Sequence, residues 1–212
     1  MIDLNFSVVG ARAERYAAVP TVVLRLRITE STGAKIDAIA LRAQIRLDVQ
    51  RRRYAPEESE LLSELFGDPS RYGDTLKPML WAHAAQMVLA FQNEIEFDLP
   101  IACSYDFEVA AHKYLASLTD GIVPLNLLFS GMVFVEGAQG VVPEFVPWSC
   151  EAHYPLPVNV WRETIDAVFP NCAWIRVNRD LFDELRRFKI ASGVPTWDAA
   201  IQRLCDLAKV KR

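Results

Sequence analysis

Two-residue alternation of apolar and polar side chains between Lys35 and Gln50 is the feature that most constrains the fold of this chain. Successive side chains of a strand point to opposite faces, whereas a helix would spread the same apolar residues around its circumference. The segment therefore predicts a long strand with one buried face and one face in water. Its apolar row comprises Ile39, Leu41, Ala43, Ile45, Leu47 and Val49.

A second alternating run precedes the first and extends from Val22 to Ile28. Residues 31–35, between the two runs, form a turn-type segment in which Gly33 can adopt a positive φ angle. We therefore expect the two runs to pair as an antiparallel hairpin, with an earlier strand over residues 3–10. This hairpin would place four arginines on one solvent-facing side: Arg25, Arg27, Arg42 and Arg46.

Helical signals begin at Pro56, which suits the first turn of a helix because no backbone N–H is needed there. An apolar stripe follows and a glycine can cap its end, so we expect a short helical insertion near residues 56–67. After Pro157 the period becomes helical, and Asn178 and Thr196 are suitable N-caps for two further helices. The residues expected to face inward on these two helices are Leu181, Leu185, Phe188, Trp197, Ala200, Ile201, Leu204 and Ala208.

Two segments have no clear period. Residues 81–91 are rich in alanine and fit a buried strand or a helix equally well. Residues 105–118 also fit either structure. We favour a strand there, because the Asp120–Gly121 pair followed by the apolar run 123–135 suits a hairpin. Residues 94–99 alternate again and predict a strand.

Strands come first and helices last along the chain, and this order predicts an α+β fold. We expect an antiparallel β-sandwich-like sheet assembly followed by a C-terminal helical segment. At 212 residues the chain suits a single domain. Within that domain, residues 1–155 should be mainly β-structured apart from the helical insertion, and residues 156–212 should be mainly helical.

Charge and apolar content argue against several classes of protein. A formal net charge of −4 is unfavourable for binding nucleic acid, which depends on neutralising phosphates. The longest apolar stretch, residues 122–135, is interrupted by polar residues and is shorter than the ~20 residues of a membrane-spanning helix. The N-terminus lacks the pattern of a signal peptide, so we expect a cytoplasmic protein without a membrane span. The four cysteines form no CxxC pair and are expected to be reduced, partly buried thiols.

Arginine is the residue type that offers the best candidate binding site. The four arginines of the predicted hairpin form a one-sided stripe that could bind an acidic partner or a phosphate. The run of Arg51, Arg52 and Arg53 before Tyr54 is the best single candidate for contacting a partner. The alternative is cross-strand ion pairing of the stripe with carboxylates on the outward face of another strand, namely Glu94, Glu96 and Asp98.

No residue is assigned a catalytic role, and no cofactor is expected. Glycine-rich nucleotide-binding motifs, an HExxH motif and a nucleophile elbow are missing from the sequence. Cys150 and His153 are weak candidates for metal ligands, because their odd spacing places them on opposite faces of a strand and two ligands do not complete a site. Asp106 and His112 would join them in any unrecognised enzyme or metal carrier. The five tryptophans lie on apolar faces and are expected to be core anchors.

Short motifs occur throughout the chain: GARAE at 10–14, QRRRY at 50–54, YDFEVAA at 105–111, PL at 124–125, LFSG at 128–131 and PTWDA at 195–199. Together they resemble a bacterial family of unknown function whose genes tend to lie near those of nickel–iron uptake hydrogenases. The resemblance covers nearly the whole chain but transfers no activity and no catalytic residue. It implies an accessory role in hydrogenase assembly or function, with hydrogenase subunits or maturation factors as partners.

Three functional hypotheses are consistent with these observations. The first is a non-catalytic accessory or interaction protein with a protein partner, and it is favoured because no catalytic constellation is visible. The second is a chaperone-like peptide binder that uses an exposed sheet edge or an apolar groove. The third is the unrecognised enzyme or metal carrier.

Overall fold

The computed structural model of the protein describes residues 2–103, 109–137, 140–172 and 175–210. The chain divides into two units, residues 1–174 and 175–212, and each is described by itself. The expectation of a single domain stays a prediction. Every strand of the described residues belongs to the first unit, and the second unit contains two helices.

Nine strands and six α-helices occur in the described residues. The strands are β1 (Leu4–Ala13), β2 (Thr21–Glu30), β3 (Lys35–Leu47), β4 (Met79–Val88), β5 (Phe91–Gln92), β6 (Glu94–Ala102), β7 (Ile122–Gly137), β8 (Gly140–Phe145) and β9 (Glu151–Pro157). The helices are α1 (Pro56–Phe66), α2 (Tyr72–Thr75), α3 (Ala110–Ala116), α4 (Val158–Val168), α5 (Arg179–Ala191) and α6 (Trp197–Val210). The long strand predicted from alternation is β3 and the helix predicted after Pro56 is α1, so both predictions are confirmed.

The described strands form two antiparallel sheets whose apolar faces pack together. One sheet has the order β1-β2-β6; the other has the order β4-β3-β7-β8, with β5 beside β3 and β9 beside β7. The inner row of β3 is at most 2% exposed, and it shares one core with the inner row of β2. Between the sheets, the rings of Phe6 and Phe129 stack with their centroids 4.3 Å apart. The predicted α+β fold, with antiparallel sheets followed by a C-terminal helical segment, is confirmed.

The predicted hairpin of β2 and β3 is wrong. β2 pairs with β1 and β6, whereas β3 pairs with β4, β5 and β7. The link between the two strands is shaped by the buried carboxylate of Glu30, which accepts hydrogen bonds from the backbone N–H groups of Thr32 and Ala34. Alternation determines which face of a strand is buried, but it does not determine which neighbour the strand pairs with. The predicted arginine stripe is therefore divided between two sheets.

The two segments of unclear period adopt different structures. Residues 79–88 form strand β4. The preference for a strand over residues 105–118 is wrong for the second half of that segment, where residues 110–116 form α3. Ala111, Tyr114 and Leu115 are spaced as one helical face and are all buried. The first half of the segment overlaps residues 104–108, which lie outside the described residues.

The second unit consists of α5 and α6. Asn178 caps α5 as predicted, because its side chain accepts a hydrogen bond from the backbone N–H of Asp180. The inward stripe predicted for these helices is largely wrong. Leu181 and Ile201 are exposed, and of the residues predicted to face inward only Ala200 is buried. Two short helices offer too little surface to bury a complete apolar stripe between them.

A buried ion pair holds α1 against the start of β7. Arg52 Nη2 lies 2.7 Å from Glu58 Oε1, and the two side chains are 8% and 2% exposed. The Arg52 guanidinium also donates hydrogen bonds to the carbonyl oxygens of Asp120 and Ile122. Glu58 in turn accepts a hydrogen bond from the backbone N–H of Thr119. The pair therefore connects the segment after β3 with α1 and with the entry to β7.

We expect Glu58→Gln to lower the free energy of unfolding by about 3 kcal/mol, since the substitution leaves the Arg52 charge buried without a counter-ion. Urea denaturation measures this change. Glu57→Gln is the matched control, because Glu57 is exposed on the same helix turn and should alter stability by less than about 0.5 kcal/mol. Equal losses in the two variants would contradict a stabilising role for the pair.

The same carboxylate should make stability depend on pH. Burial by itself raises the pKa of Glu58, but hydrogen bonds from the Thr119 and Ala55 N–H groups and the Arg52 charge outweigh burial and hold this pKa below its ordinary 4.5. The ionised carboxylate therefore stabilises the fold when the pH is above the ordinary pKa of 4.5. This stabilisation is lost as the pH falls through the lower pKa of the folded state. Urea midpoints of the wild type and Glu58→Gln should therefore converge in acid. Curves that stay parallel at every pH would argue against the linkage.

Gly131 allows β7 to approach β3 closely. Its φ angle is +141°, and a Cβ atom there would lie 2.1 Å from the carbonyl oxygen of Ala40. We expect Gly131→Ala to destabilise the protein by about 2 kcal/mol or more, measured by urea or thermal unfolding. The control is Gly73→Ala, which has open space around it and should be neutral or slightly stabilising. Full stability of Gly131→Ala would refute the close approach.

Candidate protein-binding face

Arg25 and Arg27 are neutralised by carboxylates of the neighbouring strand. In the register of β2 with β6, Arg25 lies opposite Asp98 and Arg27 opposite Glu96. Arg27 Nη2 lies 2.6 Å from Glu96 Oε1, and Arg25 Nη1 lies 3.1 Å from Asp98 Oδ1. Hydrogen bonds from both arginines lower the pKa of Glu96 below its ordinary value. The alternative of cross-strand ion pairing is confirmed for these two residues.

The three consecutive arginines after β3 have three different environments. Arg51 is exposed, and its Nε lies 2.8 Å from Asp48 Oδ2. Arg52 is the buried partner of Glu58 described above. Arg53 is exposed and forms no ion pair within the described residues. The run lines a surface hollow of about 460 Å³, but its central member stabilises the fold and is not free to contact a partner.

Arg42 and Arg46 lie on the outer face of the six-stranded sheet, away from the other arginines. Arg42 is placed between Ala85 of β4 and Ser130 of β7. Arg46 lies four residues further along β3, opposite Leu80 of β4. Within the described residues, neither guanidinium has a carboxylate within ion-pair distance. These two arginines are therefore the members of the predicted stripe whose charge is uncompensated.

Small neighbours leave the Arg42 side chain accessible. A hollow of about 540 Å³ adjoins it, with His83, Ala85 and Ser130 among the lining residues. A second hollow of about 260 Å³ lies on its other side, between Ala40 and Met87. Because alanine and serine are too short to fill the space beside a guanidinium, a side chain from another molecule could occupy it.

Apolar side chains surround the two arginines on the same face. Leu80 and Met87 are about half exposed, and Phe145, opposite Met132, is 78% exposed. We call this surface the outer sheet face and define it by Arg42, Arg46, Leu80, Met87, Met132 and Phe145. It combines uncompensated positive charge with exposed apolar area, a combination typical of protein-binding surfaces.

The tryptophans are not uniformly core anchors. Trp161 is buried as predicted, but Trp148 is 96% exposed in the loop between β8 and β9. Trp197 is also exposed, Trp81 is half-buried, and Trp174 lies outside the described residues. Sequence reasoning missed Trp148 and Phe145. The signal that could have found Phe145 is Pro143 of the same strand, because proline within a strand indicates a sheet edge, where side chains have fewer neighbours.

The weak metal and enzyme candidates are not brought together. Cys150 is buried, with its Sγ 3.5 Å from the carbonyl oxygen of Leu4, whereas His153 is exposed on β9. His112 is buried against Trp161, with ring centroids 5.3 Å apart, and Asp106 lies outside the described residues. Among the residues that are described, no group of three or more His, Cys, Asp or Glu side chains is arranged to hold a metal ion.

All four cysteines are free; Cys103 and Cys150 are buried, while Cys172 and Cys205 are exposed. Burial raises the pKa of the Cys103 thiol to about 11, which makes it a poor nucleophile.

In the part of the chain that the structure describes, no helix is both long and apolar enough to cross a bilayer.

Comparisons with solved structures find distant likenesses, of which two are described here. A Bordetella pertussis protein provisionally named ApaA is 13% identical with a TM-score of 0.33, over 74% of this chain and 95% of that one. A CARDB domain from Pyrococcus furiosus, solved in complex with di-metal ions, is 10% identical with a TM-score of 0.28, over 74% of this chain and 92% of that one. Likenesses at this level carry no argument about function.

The sequence comparisons are more specific. No curated protein matches the chain. A family model, in contrast, matches residues 1–212. The match is consistent with the predicted membership of an uncharacterised family. The chain therefore belongs to the family described as Family of unknown function (DUF6084).

Proposed function

We propose that the protein is a non-catalytic interaction protein that binds an acidic, partly apolar segment of a protein partner on the outer sheet face. The observation that carries the proposal is the difference among the arginines. Arg25, Arg27 and Arg52 have carboxylate partners within the chain, whereas Arg42 and Arg46 have none among the described residues. An external carboxylate can pair with Arg42 without breaking an internal ion pair.

The surroundings of Arg42 support strong pairing with such a carboxylate. A guanidinium can bind a carboxylate through two parallel hydrogen bonds, which adds geometric specificity. Exposed apolar neighbours would exclude water when a partner covers them, and this strengthens the electrostatic attraction. Phe145, on the same face, supplies an aromatic contact of the kind that commonly dominates binding energy at protein interfaces.

Hydrogenase subunits and maturation factors are the partners that the proposal names first. This choice rests on the resemblance of the sequence motifs to a family encoded near nickel–iron uptake hydrogenases. The proposed role is assistance in hydrogenase assembly or function, and the proposed compartment is the cytoplasm. The whole chain carries a negative net charge, so the positive charge of the outer sheet face is confined to that surface. Acidic molecules are repelled by the rest of the protein, and this favours a specific partner over general binding of acidic molecules.

A chaperone-like peptide binder is the second candidate, and exposed Leu80, Met87, Phe145 and Trp148 favour it. Such a protein would bind unfolded clients through apolar contact. Its binding would depend little on the Arg42 charge and would persist at high salt. An acidic partner held by Arg42 and Arg46 would instead be released as salt screens the attraction.

The test is a pull-down from native cells with the wild type and with Arg42→Glu. We expect the wild type to recover hydrogenase subunits or maturation factors, and Arg42→Glu to reduce this recovery about tenfold or more, because charge reversal repels the acidic segment. Arg53→Glu is the matched control, since Arg53 is also exposed and lies away from the outer sheet face. Phe145→Ala tests the apolar contribution of the outer sheet face.

Three outcomes are informative. Loss with Arg42→Glu but not with Arg53→Glu supports the proposal. Recovery of no hydrogenase component by the wild type overturns the proposed partner. Binding that survives Arg42→Glu and high salt but fails with Phe145→Ala overturns the acidic-segment proposal and favours the chaperone-like alternative.

A further inference from the structure

Strand β4 is an edge of the six-stranded sheet. It pairs with β3 on one side, and its other side makes no backbone hydrogen bond to the described residues. The inner-face side chains of β4 also indicate an open edge. Ala82, Ala84 and Gln86 are only half-buried, whereas Leu41 and Ala43, beside them on β3, are almost completely buried.

The other edge strands carry features that prevent further pairing. Strand β6 contains Pro100 and a row of carboxylates, and β8 and β9 contain prolines. Strand β1 has a bulge between Val8 and Gly10. Proline, charge and bulges are the devices by which sheet edges avoid pairing with other chains.

Residues 82–88 of β4 have none of these features. The segment AHAAQMV contains no proline and no Lys, Arg, Asp or Glu. A bulge at Trp81 precedes this segment, and the register with β3 is regular from Ala82 to Val88. It therefore presents about seven edge residues without proline or charge, which is longer than a typical strand of five or six residues.

We propose that β4 is a homodimerisation edge, along which β4 of one copy pairs antiparallel with β4 of a second copy. A two-fold axis perpendicular to the sheet generates antiparallel pairing of two identical strands. The uncharged residues 82–88 of one copy would then face the same uncharged residues of the other copy. The small side chains of Ala82, Ala84 and Ala85 permit close approach.

The charges of the two copies do not oppose this arrangement. Arg42 lies one strand in from the edge, so the two copies of this residue would be three strand spacings apart, or about 14 Å. That separation exceeds the Debye length of about 8 Å at physiological ionic strength, and the repulsion would be largely screened. A strongly acidic or basic strand, in contrast, would find no charged residue to pair with on β4.

Dimerisation would join two six-stranded sheets into one continuous sheet. A two-fold axis perpendicular to the sheet leaves both outer sheet faces on the same side. The dimer would therefore present two copies of Arg42 and Arg46 on one surface. Strand pairing itself does not depend on the proposed function, so either idea can fail without the other.

Sedimentation velocity of the full chain tests the proposal. We expect the wild type to sediment with twice the monomer mass at high concentration. Pairing centred on Ala85, the middle of residues 82–88, places the two copies of this residue opposite each other. Ala85→Lys should therefore weaken the dimer about fivefold or more, because like charges are brought together across the two-fold axis. The matched control is Val141→Lys on β8, an exposed apolar residue at the opposite edge of the same sheet, which should leave the dimer unchanged.

A cross-linking measurement identifies the surface independently of affinity. In a background with Cys172→Ser and Cys205→Ser, Ala85→Cys should form an intermolecular disulfide under mild oxidation. Ser130→Cys, on the same outer face but two strands from the edge, should not. A wild type that stays monomeric at every concentration would overturn the proposal. A dimer that resists Ala85→Lys and does not cross-link at position 85 would also overturn it, since it must use another surface.

Discussion

Burial of the inner row of β3 is the constraint on which the rest of the structure depends. Ile39, Leu41 and Ile45 lie at the centre of the core, at most 2% exposed, between the two sheets. Because side chains alternate along a strand, burying this row forces Arg42 and Arg46 onto the opposite face. The hydrophobic effect thus determines the position of the charged residues, although they take no part in the core.

The arginines show that the surroundings of a residue, more than its type, determine its role. Arg27 lies beside a strand rich in carboxylates and is neutralised there. Arg52 is covered by α1 and the entry to β7, where its charge is matched by Glu58. Arg42 has alanine and serine as its cross-strand neighbours, so its charge remains available. A positive charge with apolar neighbours and no internal partner is well suited to recognising a carboxylate on another molecule.

Two features of the six-stranded sheet bear on assembly, and they involve different atoms. The outer sheet face offers side chains, while the edge of β4 offers backbone N–H and C=O groups.

The outer sheet face was predictable from the sequence only in part. The sequence indicated the arginines and the possibility of cross-strand ion pairs, but it also placed Arg25, Arg27, Arg42 and Arg46 together. Phe145 and Trp148 were missed because short segments between prolines have no period from which their exposure could be read.

The sequence by itself determined the local structure wherever the pattern was long: strand β3, helix α1, the cap at Asn178 and the order of strands before helices. Each of these depends on neighbours along the chain. Only the tertiary structure decided that β2 and β3 belong to different sheets, that residues 110–116 are helical, and that Arg52 is buried. The physical reason is that pairing partners, ion pairs and burial depend on residues distant in sequence, and alternation is compatible with many such pairings.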